Sequence, residues 1–524
     1  MSAAIGTADR LLCPGTRFRP LETMSATAIP TASSVADAVA RLAPEGRAFI
    51  DGQYVDALSG ETFDCVSPID GSVIAKIAAC DAADVDRAVK GARAAFEKGA
   101  WSKASPARRK HTLIRFAELL REHADELALL ETIDMGKPIG DSRSIDVPGA
   151  AKCIAFYGEC ADKVSDEIAP TDPSAVAMVV REPLGVIGAV VPWNFPLMMA
   201  AWKLGPALAT GNSVVLKPAE QSPLTAIRIA QLAVDAGIPE GVLQVVPGFG
   251  ETAGQAIGLH MDVDMVAFTG STEVGKYFMR YSGESNLKRV SLECGGKTPH
   301  IILPDYPDLD KAAEAVAWGI FFNQGEVCNA GSRLLVHEDI RDDFIGRVAK
   351  VAQGIQPGNP LDAGTKMGAM VDATQMDRVL GYIEAGKADG ATVAMGGNRV
   401  MQDTGGCFIE PTIFADVRND MTIAQEEIFG PVLSAITFTD VAEAVTIAND
   451  TVYGLAGALW TRDVSTAHKV ARDIKAGVVW VNCFDAGDIT TPFGGFKQSG
   501  FGRDKSMHAM EKYTDLKLIW LQLD

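Results

Sequence analysis

The stretch Val186-Ile187-Gly188-Ala189-Val190-Val191, then Pro192-Trp193-Asn194-Phe195-Pro196 and a helical run, decides the fold class. A short apolar run bounded by a proline-rich turn reads as a buried strand. The unit then repeats. Ser213–Lys217 renews the strand signal and 223–236 the helix. Strand 242–246, helix 251–259, strand 265–268 and a helix from Thr272 continue it. Strands alternating with helices imply a mostly parallel sheet covered on both faces, the α/β class.

Upstream, residues 48–55 read as a strand–turn–strand entrance to this unit. From 82 to 130 the pattern is helical, with Asp84, Val85, Ala88, Val89, Ala92 and Phe96 spaced along one face. Downstream of Lys297 the alternation restarts: strand 300–303, helix 310–322, strand 334–337, helix 339–353. That predicts a second α/β domain. Residues 161–183 have little helical period and carry Pro170 and Pro173, which predicts a protruding β-hairpin. Residues 516–523 read as one more strand.

The chain has 524 residues, 47% hydrophobic and 22% charged, enough for large cores and two or three domains. A net charge of −19 argues against nucleic acid and anionic membranes as partners, since their phosphates are repelled. The 9 cysteines are odd in number, irregularly spaced and without a CxxC pair, the pattern of a reduced cytoplasmic protein. The 7 histidines are scattered and predict no metal site. The most apolar stretch, 185–202, is broken by Pro192, Asn194 and Pro196 and predicts no membrane span. Residues 1–45 are rich in Ala, Ser, Thr and Pro, lack a secretory core, and read as a disordered extension.

Chemistry is concentrated at two glycine-flanked positions. Cys328 lies in Phe322-Asn323-Gln324-Gly325-Glu326-Val327-Cys328-Asn329-Ala330-Gly331, and Glu293 opens Glu293-Cys294-Gly295-Gly296-Lys297. A thiol and a carboxylate set among glycines suggest a nucleophile and a base that the backbone approaches closely. Further motifs follow in order: Pro192-Trp193-Asn194-Phe195-Pro196, Lys217-Pro218-Ala219-Glu220 and Phe268-Thr269-Gly270-Ser271-Thr272-Glu273-Val274-Gly275. Glu426-Glu427-Ile428-Phe429-Gly430-Pro431 and Pro492-Phe493-Gly494-Gly495-Phe496-Lys497 complete the set.

These motifs, in this order from about residue 46 to the chain end, resemble the aldehyde dehydrogenase superfamily. The resemblance implies a Rossmann-type NAD-binding domain from 46–160 and 184–295, and an α/β catalytic domain from 296–498. It also implies an arm, from 161–183 and 499–524, that pairs across the subunits of a dimer or tetramer. Cys328 is then the nucleophile, Glu293 the general base, and Asn194 a side-chain donor to the oxyanion alongside the Cys328 N–H. Lys217 and Glu220 fall on the adenosine ribose, where a carboxylate favours NAD over NADP. Gly250, Gly270, Ser271 and Gly275 belong to the pyrophosphate turns, Glu427 and Phe429 to the nicotinamide ribose and ring, and Trp193 to the cofactor site. Cys294 departs from the apolar residue usual in the family and reads as a small packing substitute.

The tail from Lys497 to Thr514 resembles the bacterial γ-glutamyl-γ-aminobutyraldehyde and 4-guanidinobutyraldehyde dehydrogenases. Asp485 and Asp488 fall where that family builds its substrate funnel, and two carboxylates there suit a cationic ω-amino or ω-guanidino aldehyde. The alternatives are a broad-range aliphatic and aromatic aldehyde dehydrogenase, or a non-catalytic NAD-binding protein of the same fold.

Overall fold

The computed structural model describes residues 32–523. Its first sheet has eight strands. Their order is Gln53–Val55, Ala48–Ile50, Leu243–Val245, Ser213–Lys217, Val186–Val190, Met265–Thr269, Arg289–Glu293 and Gly500–Phe501. The five strands from Leu243–Val245 to Arg289–Glu293 run parallel, and the edges are antiparallel. Val186–Val190 is thus a central strand, buried at every position. A strand buried on both faces needs apolar side chains on both, which is why the sequence shows a continuous run and no alternation.

Strand order fixes where a ligand can sit. From Val186–Val190 the chain steps outward through Ser213–Lys217 to Leu243–Val245, then returns to the other side with Met265–Thr269. The order therefore reverses between Val186–Val190 and Met265–Thr269. Loops leaving the carboxyl ends of two such strands diverge and leave a crevice. Asn194 and Ser271 leave from these two ends.

The second sheet has seven strands, ordered Thr392–Met395, Thr412–Ala415, Val432–Phe438, Arg333–His337, Pro299–Ile302, Ala456–Trp460 and Val478–Val481. All pairs are parallel except that of Thr392–Met395. A third, antiparallel sheet joins Thr514–Gln522 to Ala175–Pro183, in register from Thr514↔Pro183 to Gln522↔Ala175, with Glu167–Ala169 beyond. Leu516, Leu518 and Trp520 stand exposed on it.

Two expectations need correction. Disorder over 1–45 does not hold for its described part. Val35–Leu42 is a helix, capped by Ser34, whose side chain accepts from the Asp37 N–H. It buries Val35 and Ala38 against Ala124–Met135, a surface that composition cannot reveal. Residues 1–31 lie outside the described residues. The arm does not begin at 499 either. Gly500 and Phe501 pair with Glu293 and Leu292 at the edge of the first sheet, and the arm's strand starts at Thr514. A two-residue edge strand carries no hydrophobic period by which to be read.

Candidate active site

Cys328 follows a bend that the backbone resists. The helix Leu309–Phe321 ends, and Asn323 (φ 48°), Gln324 (φ 57°) and Gly325 (φ 73°) are all left-handed. Two such non-glycine residues in succession persist only where their surroundings hold them. Asn323 Nδ2 donates to the carbonyls of Asn194 (3.1 Å) and Glu326 (3.3 Å), and Gln324 Oε1 accepts from the Gly368 N–H (2.9 Å). The bend delivers Val327, Cys328 and Asn329 to the wall of a cavity of about 460 Å³.

Asn194 and Glu293 line the same cavity. Asn194 is buried, and its Nδ2 donates one N–H to the Glu326 carbonyl (2.8 Å). An amide has two such protons, so one remains for an oxygen in the cavity. The Cys328 backbone N–H donates to no other described residue. The site thus offers two donors beside one sulfur, the arrangement that stabilises an oxyanion.

Glu293 ends its strand, level with Thr269 on one side and Gly500 on the other. It is 3% exposed, and neither carboxylate oxygen has a hydrogen-bond partner. A Cβ on Gly494 would come within 2.7 Å of its Oε1, so that glycine keeps the carboxylate's place open. Burial holds the Glu293 carboxyl well above its usual range. Asp504 adds to the rise, and Lys203 and Lys512 oppose it. These three form a buried triad, with Lys203 paired to Asp504 and Lys512 Nζ 2.6 Å from Asp504 Oδ1. Burial also raises the Cys328 thiol, and the carboxylates of Glu427, Asp485 and Glu293 raise it further. The resting nucleophile is therefore a neutral thiol that needs a base, and Glu293 is an unpaired carboxylate of raised basicity in the same cavity.

On the side of the strand-order reversal, Gly270 and Ser271 line the cavity where the helix Thr272–Glu284 begins, with Ser271 as its N-cap. Open amides at a helix start suit a pyrophosphate. Glu427 reaches in from the other domain, and its Oε1 accepts from the Gly296 N–H (3.1 Å). A Cβ on Gly295 would overlap the Glu427 carboxylate, so the two approach only because residue 295 is glycine. Burial raises the Glu427 carboxyl to about 7. Phe429, left-handed at φ 57°, meets Trp193 edge to face with ring centroids 5.1 Å apart. Gln375 Nε2 holds this loop through the carbonyls of Ile428 (3.1 Å) and Phe429 (2.8 Å). At the neighbouring strand end, Lys217 Nζ lies 2.9 Å from Glu220 Oε2, and Ser222 Oγ ties that loop to the Trp193 carbonyl (3.1 Å). A cradle of glycines and helix amides, flanked by one carboxylate for each ribose, fits a nicotinamide dinucleotide.

The aldehyde dehydrogenase family model matches residues 54–519. The chain belongs to the aldehyde dehydrogenase family. It is 52% identical to the NADP/NAD-dependent aldehyde dehydrogenase PuuC of Escherichia coli (strain K12), over 93% of this chain and 98% of that protein. It superposes with a TM-score of 0.92 on an indole-3-acetaldehyde dehydrogenase crystallised with NAD+, at 60% identity over 94% of this chain and 100% of that one. A γ-glutamyl-γ-aminobutyraldehyde dehydrogenase from Burkholderia cenocepacia J2315 gives 0.91, at 60% identity and the same coverage.

Within this aldehyde dehydrogenase, the cavity gathers Cys328, Glu293, Asn194, Trp193, Gly270 and Ser271, with Glu427, Phe429 and Asp485. Lys217, Glu220 and Gly250 stand outside it, along the carboxyl edge of the first sheet. Gly275 is not on the cavity. It is buried, and a Cβ there would lie 3.0 Å from Cys294 Sγ, so its role is to let the helix pack on the strand end. Asp488 is also off the cavity. It pairs with Lys152, and its Oδ1 accepts from the Thr490 N–H (3.0 Å). Its expected contact with substrate is thus corrected to a turn-shaping role. Among the described residues, no group of three or more His, Cys, Asp and Glu is placed to hold a metal.

Sequence reading missed Lys505, Trp202 and Gln375, all on the cavity, and the Lys203–Asp504–Lys512 triad beneath Glu293. A signal existed for one of them. Lys203 interrupts the otherwise apolar helix Pro196–Ala209, and a lysine in such a run must find a buried anion. Lys505 and Gln375 left no comparable trace.

Proposed function

We propose that this protein oxidises aldehydes to carboxylic acids with NAD. The observation that carries the reading is the convergence of Cys328, Glu293 and Asn194, from three distant segments, on one cavity that also takes the start of the helix Thr272–Glu284. Glu293 takes the thiol proton as Cys328 Sγ attacks the aldehyde carbon. A C–S bond forms, and the carbonyl electron pair moves to an oxyanion held by the Asn194 amide and the Cys328 N–H. Bound NAD supplies the acceptor for the hydride whose departure turns this adduct into a thioester. Glu293, once it has passed the thiol proton to solvent, takes a proton from the water that attacks the thioester carbon; the C–S bond breaks to release the acid, and the departing sulfur takes that proton back from Glu293 as a thiol. The test is absorbance at the NADH band on mixing protein, NAD and aldehyde. No rise with any aldehyde overturns the reading.

NAD is the expected choice over NADP, supported by Glu220 beside Lys217 at the sheet edge. PuuC, the E. coli relative, is named for both cofactors, so the choice rests on this chain's own residues. Glu220→Gln removes a charge that repels a 2′-phosphate and should raise kcat/KM with NADP by about tenfold. A wild-type preference for NADP overturns this reading of the ribose site.

For substrate we take an aldehyde whose far end carries an ammonium or guanidinium group. Asp485 supports it from the cavity wall, with Oδ1 accepting from Asn329 Nδ2 (2.7 Å) and the carboxylate open to the funnel. The γ-glutamyl-γ-aminobutyraldehyde dehydrogenase at 60% identity is named for an aldehyde whose far end carries an ammonium beside a carboxylate. Asp485→Asn should cost cationic aldehydes about tenfold in kcat/KM and neutral ones of equal length far less. Asp488→Asn should leave both unchanged, since its partner is Lys152. Equal losses for cationic and neutral aldehydes in Asp485→Asn identify a broad-range enzyme instead. That alternative draws on the apolar walls, among them Trp202, Phe493 and Met198.

The exposed apolar strand Thr514–Gln522 supports a dimer or tetramer paired through the arm. The eight free cysteines among the described residues suit a cytoplasmic setting. Among those residues, no helix is long and apolar enough to cross a membrane.

A further inference from the structure

Lys137 is fully buried and takes no part in the chemistry above. It follows Gly136, the left-handed cap (φ 90°) of the helix Ala124–Met135. Burial works against a charge there, yet Asp146 and Glu131 outweigh it and hold the ammonium above its usual value. Lys137 Nζ lies 2.7 Å from Asp146 Oδ2 and 3.4 Å from Glu131 Oε1. It also stands 4.0 Å from the centroid of the Phe195 ring, well within cation–π range.

Phe195 directly follows Asn194, and it caps the helix Pro196–Ala209. A helix start is usually held by an oxygen on its own cap residue, and phenylalanine has none. Glu131 supplies that oxygen from another helix: its Oε2 accepts from the Leu197 N–H (3.3 Å). The turn that carries Asn194 is thus held by the buried ion cluster at two points, the Phe195 ring and the Leu197 backbone. The same segment reaches the Cys328 side. Phe195 stacks on Phe322, ring centroids 6.2 Å apart, just before the left-handed bend at Asn323. The Gly136 carbonyl accepts from the Ala369 N–H (3.0 Å), and the adjoining Gly368 N–H donates to Gln324 in that bend. One buried cation therefore stands between the two segments from which the oxyanion donors come.

We propose that Lys137 is a positioning residue that, through the Phe195 ring and the Glu131-held turn, sets the Asn194 amide where the oxyanion develops. The inference rests on the aldehyde-oxidising reading above. Asn194 and the Cys328 N–H converge on one oxygen only while the turn and the bend keep their spacing. A misplacement of about 1 Å can cost a reaction about a hundredfold in rate. A cation on a ring face and a carboxyl oxygen on a helix N–H fix that spacing without touching the reacting atoms.

The test is a double-mutant cycle on the full-length protein with NAD and hexanal. Lys137→Met keeps the length of the stem and removes the charge. It should lower kcat about tenfold and leave KM for hexanal within about twofold. In an Asn194→Ala background, where the side-chain donor is already gone, the same change should cost about twofold or less. Alkylation of Cys328 by iodoacetamide needs no oxyanion, so its rate in Lys137→Met, followed on the Cys328 peptide, should stay within about twofold of the unsubstituted protein. Lys137→Met alone leaves Asp146 buried without its cation, so the cycle is repeated with Asp146→Asn added, which removes one charge of each sign. Burial raises the remaining Glu131 carboxyl and favours its neutral form, and the same pattern is expected. An equal loss of kcat with and without the Asn194 side chain makes Lys137 a general support of the fold and overturns the proposal. So does an unchanged kcat, or a loss confined to KM, and each of these leaves the aldehyde-oxidising reading standing. No NADH from the unsubstituted protein with any aldehyde overturns that reading and this one together.

Discussion

Cys328→Ala should reduce aldehyde oxidation at least about a hundredfold while leaving NAD affinity within about twofold. The C–S bond precedes hydride departure, so without sulfur there is no adduct from which a hydride can leave. The other thiol on the cavity does not replace it. Cys294 is 3% exposed and packs behind Gly275. Burial and the Glu293 and Glu427 carboxylates hold its own thiol up to about 12, which keeps it protonated. In the proposed reading cofactor binding rests on other groups: Lys217 and Glu220, the helix start at Ser271, and Glu427. Calorimetry with NAD and steady-state assays on the same preparation check both halves. More than about 1% residual turnover removes Cys328 from the mechanism.

Glu293→Gln should slow steady turnover by about 10²- to 10⁴-fold, the usual range for a lost general base. The first hydride transfer should suffer less than thioester hydrolysis, so rapid mixing should show a burst of NADH. The change is close to isosteric, and the carboxylate it removes has no hydrogen-bond partner to lose. A fold as stable as the wild type is therefore expected, which separates chemistry from misfolding. The same carboxylate sets the pH dependence. Burial raises its carboxyl well above the usual range. As pH falls through that raised value Glu293 takes up a proton and stops acting as a base, so turnover falls on the acid side and recovers as pH rises. In Glu293→Gln that acid limb should vanish. A mutant with wild-type rate, or with the limb intact, excludes Glu293 as the base.

Much of the first sheet was legible because its signals are local. Ser213–Lys217 was read at its observed bounds, and Met265–Thr269 to within one residue. Five apolar residues between turns announce a buried strand whatever surrounds them. The helix Val35–Leu42 was not legible. Only two of its residues are buried, and their partners lie in other elements. At the site, Cys328 and Glu293 could be found because glycines mark places where backbone must approach closely, as Gly295 and Gly494 do. Asp485 and Asp488 looked equivalent, three positions apart in one acidic loop. The fold separates them, because Lys152, 336 residues away in sequence, claims Asp488.

The sequence by itself determined the α/β alternation and the family, and it marked the cysteine, glutamate and asparagine proposed here as catalytic. Each is written in short-range features, such as periodicity, turn residues and motif order. Only the tertiary structure decided which groups surround Glu293 and which charges face the cavity. Lys203 reaches Asp504 across 301 residues, and Lys505 faces the cavity because two left-handed residues are held by Phe493, Ile489 and Tyr157. The reason is physical. Hydrophobic period is a property of a few neighbouring residues, whereas desolvation and ion pairing depend on every group the fold brings near, however far apart in the chain.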